Sequence, residues 1–129
     1  MSKAIELMVV DDNPAVREGL CGILEGQPDL KIVGTAASGR EALDSIERVK
    51  PAVVILDVSM PGMSGIEAAR RIKARFPGIA VICLSTYGTC MEAALAAGAN
   101  AYLLKDCRRA DLLNAIREVE GRAAGSRNT

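Results

Sequence analysis

Hydrophobic residues fall into five short runs, approximately Ile5–Val10, Leu30–Ala36, Ala52–Leu56, Ile79–Leu84 and Ala101–Leu104, with little polar alternation inside them. Runs of this length, rich in Val, Ile and Leu, predict strands covered on both faces, as in a parallel sheet. Between them the apolar spacing becomes helical. Val16, Leu20, Ile23 and Leu24 share one helix face, and Leu112, Leu113, Ile116 and Val119 share another. Asn13 followed by Pro14 is an N-cap with proline at the first helical position. Ser38…Glu41, Ser64…Glu67 and Thr89…Glu92 read as capping boxes, and Asp106 as the cap of the last helix. Lys50-Pro51 and Phe76-Pro77 close two helices, and Gly98 is a C-terminal stop for a third.

Strand and helix thus alternate five times. The expected fold is α/β, a three-layer, flavodoxin-like (βα)5 unit whose five parallel strands run in the order 2-1-3-4-5. A length of 129 residues suits one domain and supports a core without staples. We place that domain at residues 1–120. Residues 121–129, GRAAGSRNT, lack apolar periodicity and read as a linker or frayed C-terminus.

The first run ends in two adjacent acids, Asp11 and Asp12. Two carboxylates about 5 Å apart repel by about 3 kcal/mol at an effective dielectric near 20. A bound cation would offset that cost. In an open α/β sheet, ligands lie beyond the carboxyl ends of the strands. The third run ends at Asp57, the fifth at Lys105, and the fourth at the hydroxyls Ser85 and Thr86. In the expected order, strands one and three are neighbours, so the three carboxylates converge with the lysine and a hydroxyl beside them. Three carboxylates make a hard-oxygen site suited to Mg2+. A lysine and a hydroxyl are natural partners for a phosphoryl group. Together they point to phosphoryl transfer onto an aspartate.

Composition narrows the alternatives. Sixteen basic and sixteen acidic residues balance, which argues against a whole-domain nucleic-acid binder. The absence of histidine excludes Ser-His-Asp and Cys-His mechanisms and any histidine metal site. Cys21, Cys83, Cys90 and Cys107 form no CxxC pair and no zinc spacing, so they read as small hydrophobes in a reducing compartment. No GxGxxG follows the first strand, which removes a dinucleotide site. No apolar run reaches membrane-spanning length and no signal peptide opens the chain, so a cytoplasmic protein without membrane association is expected.

The stretches MVVDDNPAVREGL, PAVVILDVSMPGMSGIEAARRIKARFP, ICLSTY and AGANAYLLKD resemble the receiver domain of two-component response regulators. The similarity runs from about Ala4 to Val119. VREGL, MPGMSGIEAARRI and YLLKD look most like the NarL/FixJ (LuxR-type output) subfamily, in which a helix-turn-helix DNA-binding domain normally follows. The resemblance implies Asp57 as phosphoacceptor. It implies Asp11, Asp12, Asp57 and the backbone carbonyl of Ser59 as Mg2+ ligands, Asp12 directly and Asp11 through water. Lys105 would pair with the phosphoryl oxygens, Ser85 would hydrogen-bond them, and Tyr102 would be the aromatic switch. Thr86 is the alternative hydroxyl. The implied partners are a sensor histidine kinase, a second copy of the chain on phosphorylation, and DNA only through a further C-terminal domain.

The chain departs from the family in the segment between Ser85 and Lys105, which is shorter than usual, and in Asp106, where many receivers have proline. Two other readings compete. One is a degenerate receiver acting as a phosphorylation-independent interaction module. The other is a haloacid-dehalogenase-like phosphatase, whose DxD signature is missing here. Apart from self-phosphorylation and autodephosphorylation, no enzyme activity is expected.

Overall fold

The computed structural model describes residues 3–127, with side chains described through Arg122. The elements are β1 (Ile5–Val10), α1 (Pro14–Glu25), β2 (Leu30–Ala36), α2 (Gly39–Val49), β3 (Val53–Asp57), α3 (Gly65–Arg75), β4 (Ala80–Ser85), α4 (Met91–Ala96), β5 (Ala101–Leu104) and α5 (Arg109–Arg127). The strands form one parallel sheet in the order β2-β1-β3-β4-β5, the (βα)5 arrangement expected.

Side chains alternate across each strand, so every central strand feeds two cores. Met8, Val10, Val54, Leu56, Val81 and Cys83 face one layer with Ala42, Ile46, Ala68 and Ile72 from α2 and α3. Leu7, Val9, Val53, Ile55, Ile82 and Leu84 face the other with Leu24, Leu112, Leu113 and Ile116 from α1 and α5. Each large side chain removed from water in this way stabilises the fold by about 1.5–3 kcal/mol. Together the two cores hold the carboxyl ends of β1, β3, β4 and β5 in one rim.

Local signals act as expected at three helix starts. The side chains of Asn13, Ser38 and Ser64 accept hydrogen bonds from backbone N–H groups in the first turns of α1, α2 and α3. The fourth helix differs. Thr89 does not cap it: it lies in a 3-10 turn, Gly88–Cys90, and α4 begins at Met91 with no side-chain cap. The short connection after β4 tightens this turn, whose own i→i+3 geometry takes the place of a cap. At the last helix, Asp106 is not the cap. The carboxylate of Asp111 accepts from the Arg108 N–H instead, at 3.3 Å, because α5 starts later than the sequence suggests.

α5 continues to Arg127, so the backbone of residues 121–127, read from the sequence as a linker or frayed C-terminus, is helical. A helix already nucleated elongates readily, and the alanines and arginines here favour it even though Gly121 and Gly125 each cost about 1 kcal/mol relative to alanine. Residues 128 and 129, within the same expectation, lie outside the described residues.

Candidate functional site

β1 delivers Asp11 to the rim, where its backbone is tied on both sides. Its N–H donates to Ala36 O at 3.1 Å, and its carbonyl accepts from Arg17 Nη1 at 2.7 Å. Its Oδ1 accepts from the Asn13 N–H at 2.9 Å, while Asn13 in turn caps α1. Asp11 is buried and the neighbouring Asp12 is exposed. β3 carries Asp57 as its last residue, opposite Leu84 of β4. Asp57 is 3 % exposed, and its Oδ1 accepts from the Ser59 N–H at 3.2 Å.

These three aspartates, at two strand ends, converge. Carboxylate oxygens of Asp11, Asp12 and Asp57 all lie within 4.8 Å of one another. Lys105, just past β5, bridges the two buried ones: its Nζ is 3.1 Å from Asp11 Oδ2 and 3.1 Å from Asp57 Oδ1. The contact to Asp11 Oδ2 is an ion pair without hydrogen-bond alignment, and that buried oxygen receives no hydrogen bond.

The electrostatics follow from burial. Desolvation raises the Asp57 pKa above its ordinary value, the Lys105 ammonium opposes that rise, and the Asp11 charge adds to it. Burial alone would lower Lys105, but the close carboxylates of Asp57 and Asp11 leave it raised. Three carboxylates and one ammonium leave the site with an excess of two negative charges. At the 4.8 Å limit, each like-charge pair costs about 3.5 kcal/mol at an effective dielectric near 20.

A divalent cation fits this donor set. The ligands are hard oxygens, the charge excess matches, and a buried carboxylate oxygen lacks any hydrogen-bond donor. Ser59, two residues past Asp57, is exposed, with its N–H turned to Asp57.

The hydroxyls divide clearly. Ser85 is 3 % exposed at the end of β4, and its Oγ accepts from the Tyr87 N–H at 3.2 Å. Its carbonyl accepts from the Lys105 N–H at 2.8 Å, joining it directly to the lysine-bearing turn. Thr86 is exposed. Tyr102 is half-buried on β5, and its hydroxyl donates to the carbonyl of Tyr87 in the loop after β4.

Two residues at the rim were not among the candidates. Arg17 is one, and no local pattern marks it. Gly65 is the other. A Cβ built there would lie 2.0 Å from Asp57 O and 2.7 Å from Val58 Cα. The sequence signal was a glycine in the first turn of α3, inside Ser64-Gly65-Ile66-Glu67, where helix propensity favours almost any other residue. A cleft of about 910 Å³ lies at the opposite end of the sheet between Lys3, Lys31, Lys50, Phe76 and Ile79, away from the carboxylates.

The family profile of the response regulator receiver domain matches residues 7–117. Among curated relatives, the uncharacterized transcriptional regulatory protein YhcZ of Bacillus subtilis is 40% identical over 119 residues, covering 91% of this chain and 55% of that protein. The chain spans about half the length of the curated relatives it matches. Among solved structures, the response regulator domain of Thermotoga maritima CheB is similar with a TM-score of 0.86 and 32% identity, covering 92% of this chain and 98% of that one. A chain of the Borrelia burgdorferi CheX–CheY complex with BeF3 and Mg2+ is similar with a TM-score of 0.84 and 27% identity, covering 91% and 90%. Among the described residues, no helix is long and apolar enough to cross a membrane.

Proposed function

The chain belongs to the response regulator receiver family, and on that premise we propose that it is a phosphoacceptor switch in which Asp57 receives a phosphoryl group from a sensor histidine kinase. One observation carries the reading. Three aspartates meet within 4.8 Å, and Lys105 reaches both buried members of the set at 3.1 Å. With two of the three carboxylates buried, their mutual repulsion is a cost that a bound cation offsets.

In this reading Asp11, Asp12, Asp57 and the Ser59 carbonyl would hold Mg2+, which would supply neutralisation of charge on the carboxylates and on the incoming phosphoryl oxygens. A carboxylate oxygen of Asp57 attacks phosphorus as the P–N bond of phosphohistidine breaks. The electron pair of that bond stays on the imidazole nitrogen, and an acyl phosphate forms on Asp57. Lys105 exchanges its contact with the Asp57 carboxylate for the phosphoryl oxygens. Ser85 offers its buried hydroxyl to them, in preference to the exposed Thr86.

The acyl phosphate carries nearly two negative charges where the carboxylate carried one, and it brings new acceptor oxygens. Ser85 gives up the Tyr87 N–H to reach them, so the loop after β4 moves and Tyr102 follows as the switch. A covalent state shifts a two-state equilibrium only through contacts that differ between the states, and this exchange supplies them. Phosphorylation-dependent homodimerisation is the immediate output. Residues 1–120 are the receiver unit. Control of transcription, through a DNA-binding helix-turn-helix domain in the longer protein, is supported by the relationship to YhcZ.

Incubation with Mg2+ and an acyl phosphate donor tests the reading. One phosphoryl group should appear on Asp57 by peptide mass mapping, and none on Asp57→Asn. Absence of label on the wild type, or equal label on both, defeats it.

A further inference from the structure

Arg17 lies six residues past Asp11, in the first turns of α1, and its contact is unusual for a half-buried guanidinium. Its Nη1 donates to the backbone carbonyl of Asp11 at 2.7 Å, and among the described residues it forms no ion pair with a carboxylate. Asp11, Asp12 and Glu18 are near it in sequence, yet the group is spent on a peptide oxygen. The bond adds to two others on the same residue, from Asp11 N–H to Ala36 O and from Asn13 N–H to Asp11 Oδ1. With all three in place, only Asp11 Oδ2 is without a hydrogen bond.

The peptide joining Asp11 to Asp12 is planar and trans, so fixing its carbonyl direction fixes the direction of the Asp12 N–H and the position of the Asp12 Cα from which its side chain departs. Asp12 is exposed, and among the described residues its side chain makes no hydrogen bond or ion pair of its own, so its direction is set by the backbone on either side of it. We propose that Arg17 is a positioning residue: by clamping the Asp11 carbonyl it turns that oxygen away from the acidic cluster and holds the exposed carboxylate of Asp12 toward Asp57, ready for a divalent cation. The proposal rests on the Mg2+ site described above. Groups one bond removed from metal ligands commonly set affinity in this way.

The competing role for Arg17 is a nearby positive charge, and the two roles have opposite signs. A bare charge near the site opposes cation binding, so removing it tightens Mg2+. A clamp favours binding, so removing it weakens Mg2+. The test is Mg2+ titration by calorimetry of the wild type, Arg17→Met and Arg17→Lys, with thermal unfolding of each to establish that it is folded. Arg17→Met should bind Mg2+ about tenfold more weakly than the wild type. Arg17→Lys, which keeps a donor and the charge, should recover part of the loss. In amide spectra, the Mg2+-induced shifts of Asp12 and Asn13 should shrink in Arg17→Met. Equal or tighter Mg2+ binding by Arg17→Met overturns the proposal while leaving the Mg2+ site standing. Failure of the wild type to bind Mg2+ overturns both. Should Arg17→Met not fold, Arg17→Lys decides alone: unchanged affinity and unchanged Asp12 shifts overturn the clamp.

Discussion

Gly65 and Asp57 stand so close that the first turn of α3 leaves no room for a side chain: a Cβ on Gly65 would approach Asp57 O to 2.0 Å. The Gly65 N–H also donates to Val58 O at 2.9 Å, so helix and strand end are stitched together at the phosphoacceptor candidate. Gly65→Ala must move the backbone of one or the other. We expect a loss of about 2–4 kcal/mol in urea unfolding, together with slower labelling of Asp57. An unfolding midpoint equal to the wild type's would mean that the two segments separate freely.

Mg2+ should stabilise the wild type by mass action. At ten times the dissociation constant the gain is about 1.4 kcal/mol, read as a rise in Tm that chelation reverses. Asp12→Asn separates the two electrostatic effects. It removes one of three mutually repelling carboxylates, so without metal it should be more stable than the wild type. Its Tm should then respond little to Mg2+. A Tm that climbs equally in both proteins would place the ion elsewhere.

Cys83 is fully buried on β4, and burial pushes its thiol up to about 12 from 9.0. A folded pKa above the unfolded one means that the contribution is intact below pH 9 and is lost as pH climbs toward the folded value. The full loss across that interval is about 4 kcal/mol. Unfolding free energy measured from pH 8 to 11 should fall, and Cys83→Ala should flatten that fall. Alkylation near pH 8 should leave Cys83 unmodified until the chain unfolds. Rapid labelling of the native protein at this position would contradict its burial.

Tyr102→Phe removes the hydroxyl that donates to Tyr87 O. The loop after β4 loses an anchor, but the half-buried ring keeps its packing against the core shared with α2 and α3. Stability should drop by about 0.5–1 kcal/mol. Amide exchange in residues 86–90 should accelerate while that of β4 stays unchanged. Equal exchange rates in the loop would show that the hydroxyl does not restrain it.

Local chemistry in the chain was enough to write down the strands nearly as they occur, and the caps Asn13, Ser38 and Ser64, because these depend on a few neighbouring residues. It was also enough to single out Asp11, Asp12, Asp57 and Lys105, because charge at the end of a buried apolar run is costly wherever the strand lies. Their meeting was legible only once a strand order was assumed, since β1 and β3 are separated by a whole β-α repeat.

Tertiary structure alone decided the rest. Thr89 lost its capping role to a 3-10 turn set by the spacing of β4 and β5, and Asp106 lost its role to Asp111. The tail's helix was set by what precedes it, an extension of α5 that periodicity could not reveal. Arg17 and Gly65 act on backbone oxygens, those of Asp11 and Asp57, and a backbone oxygen leaves no mark on the residue that carries it. Side-chain identity records what a residue can offer; where a carbonyl points, and what can approach it, exists only after the chain has closed on itself.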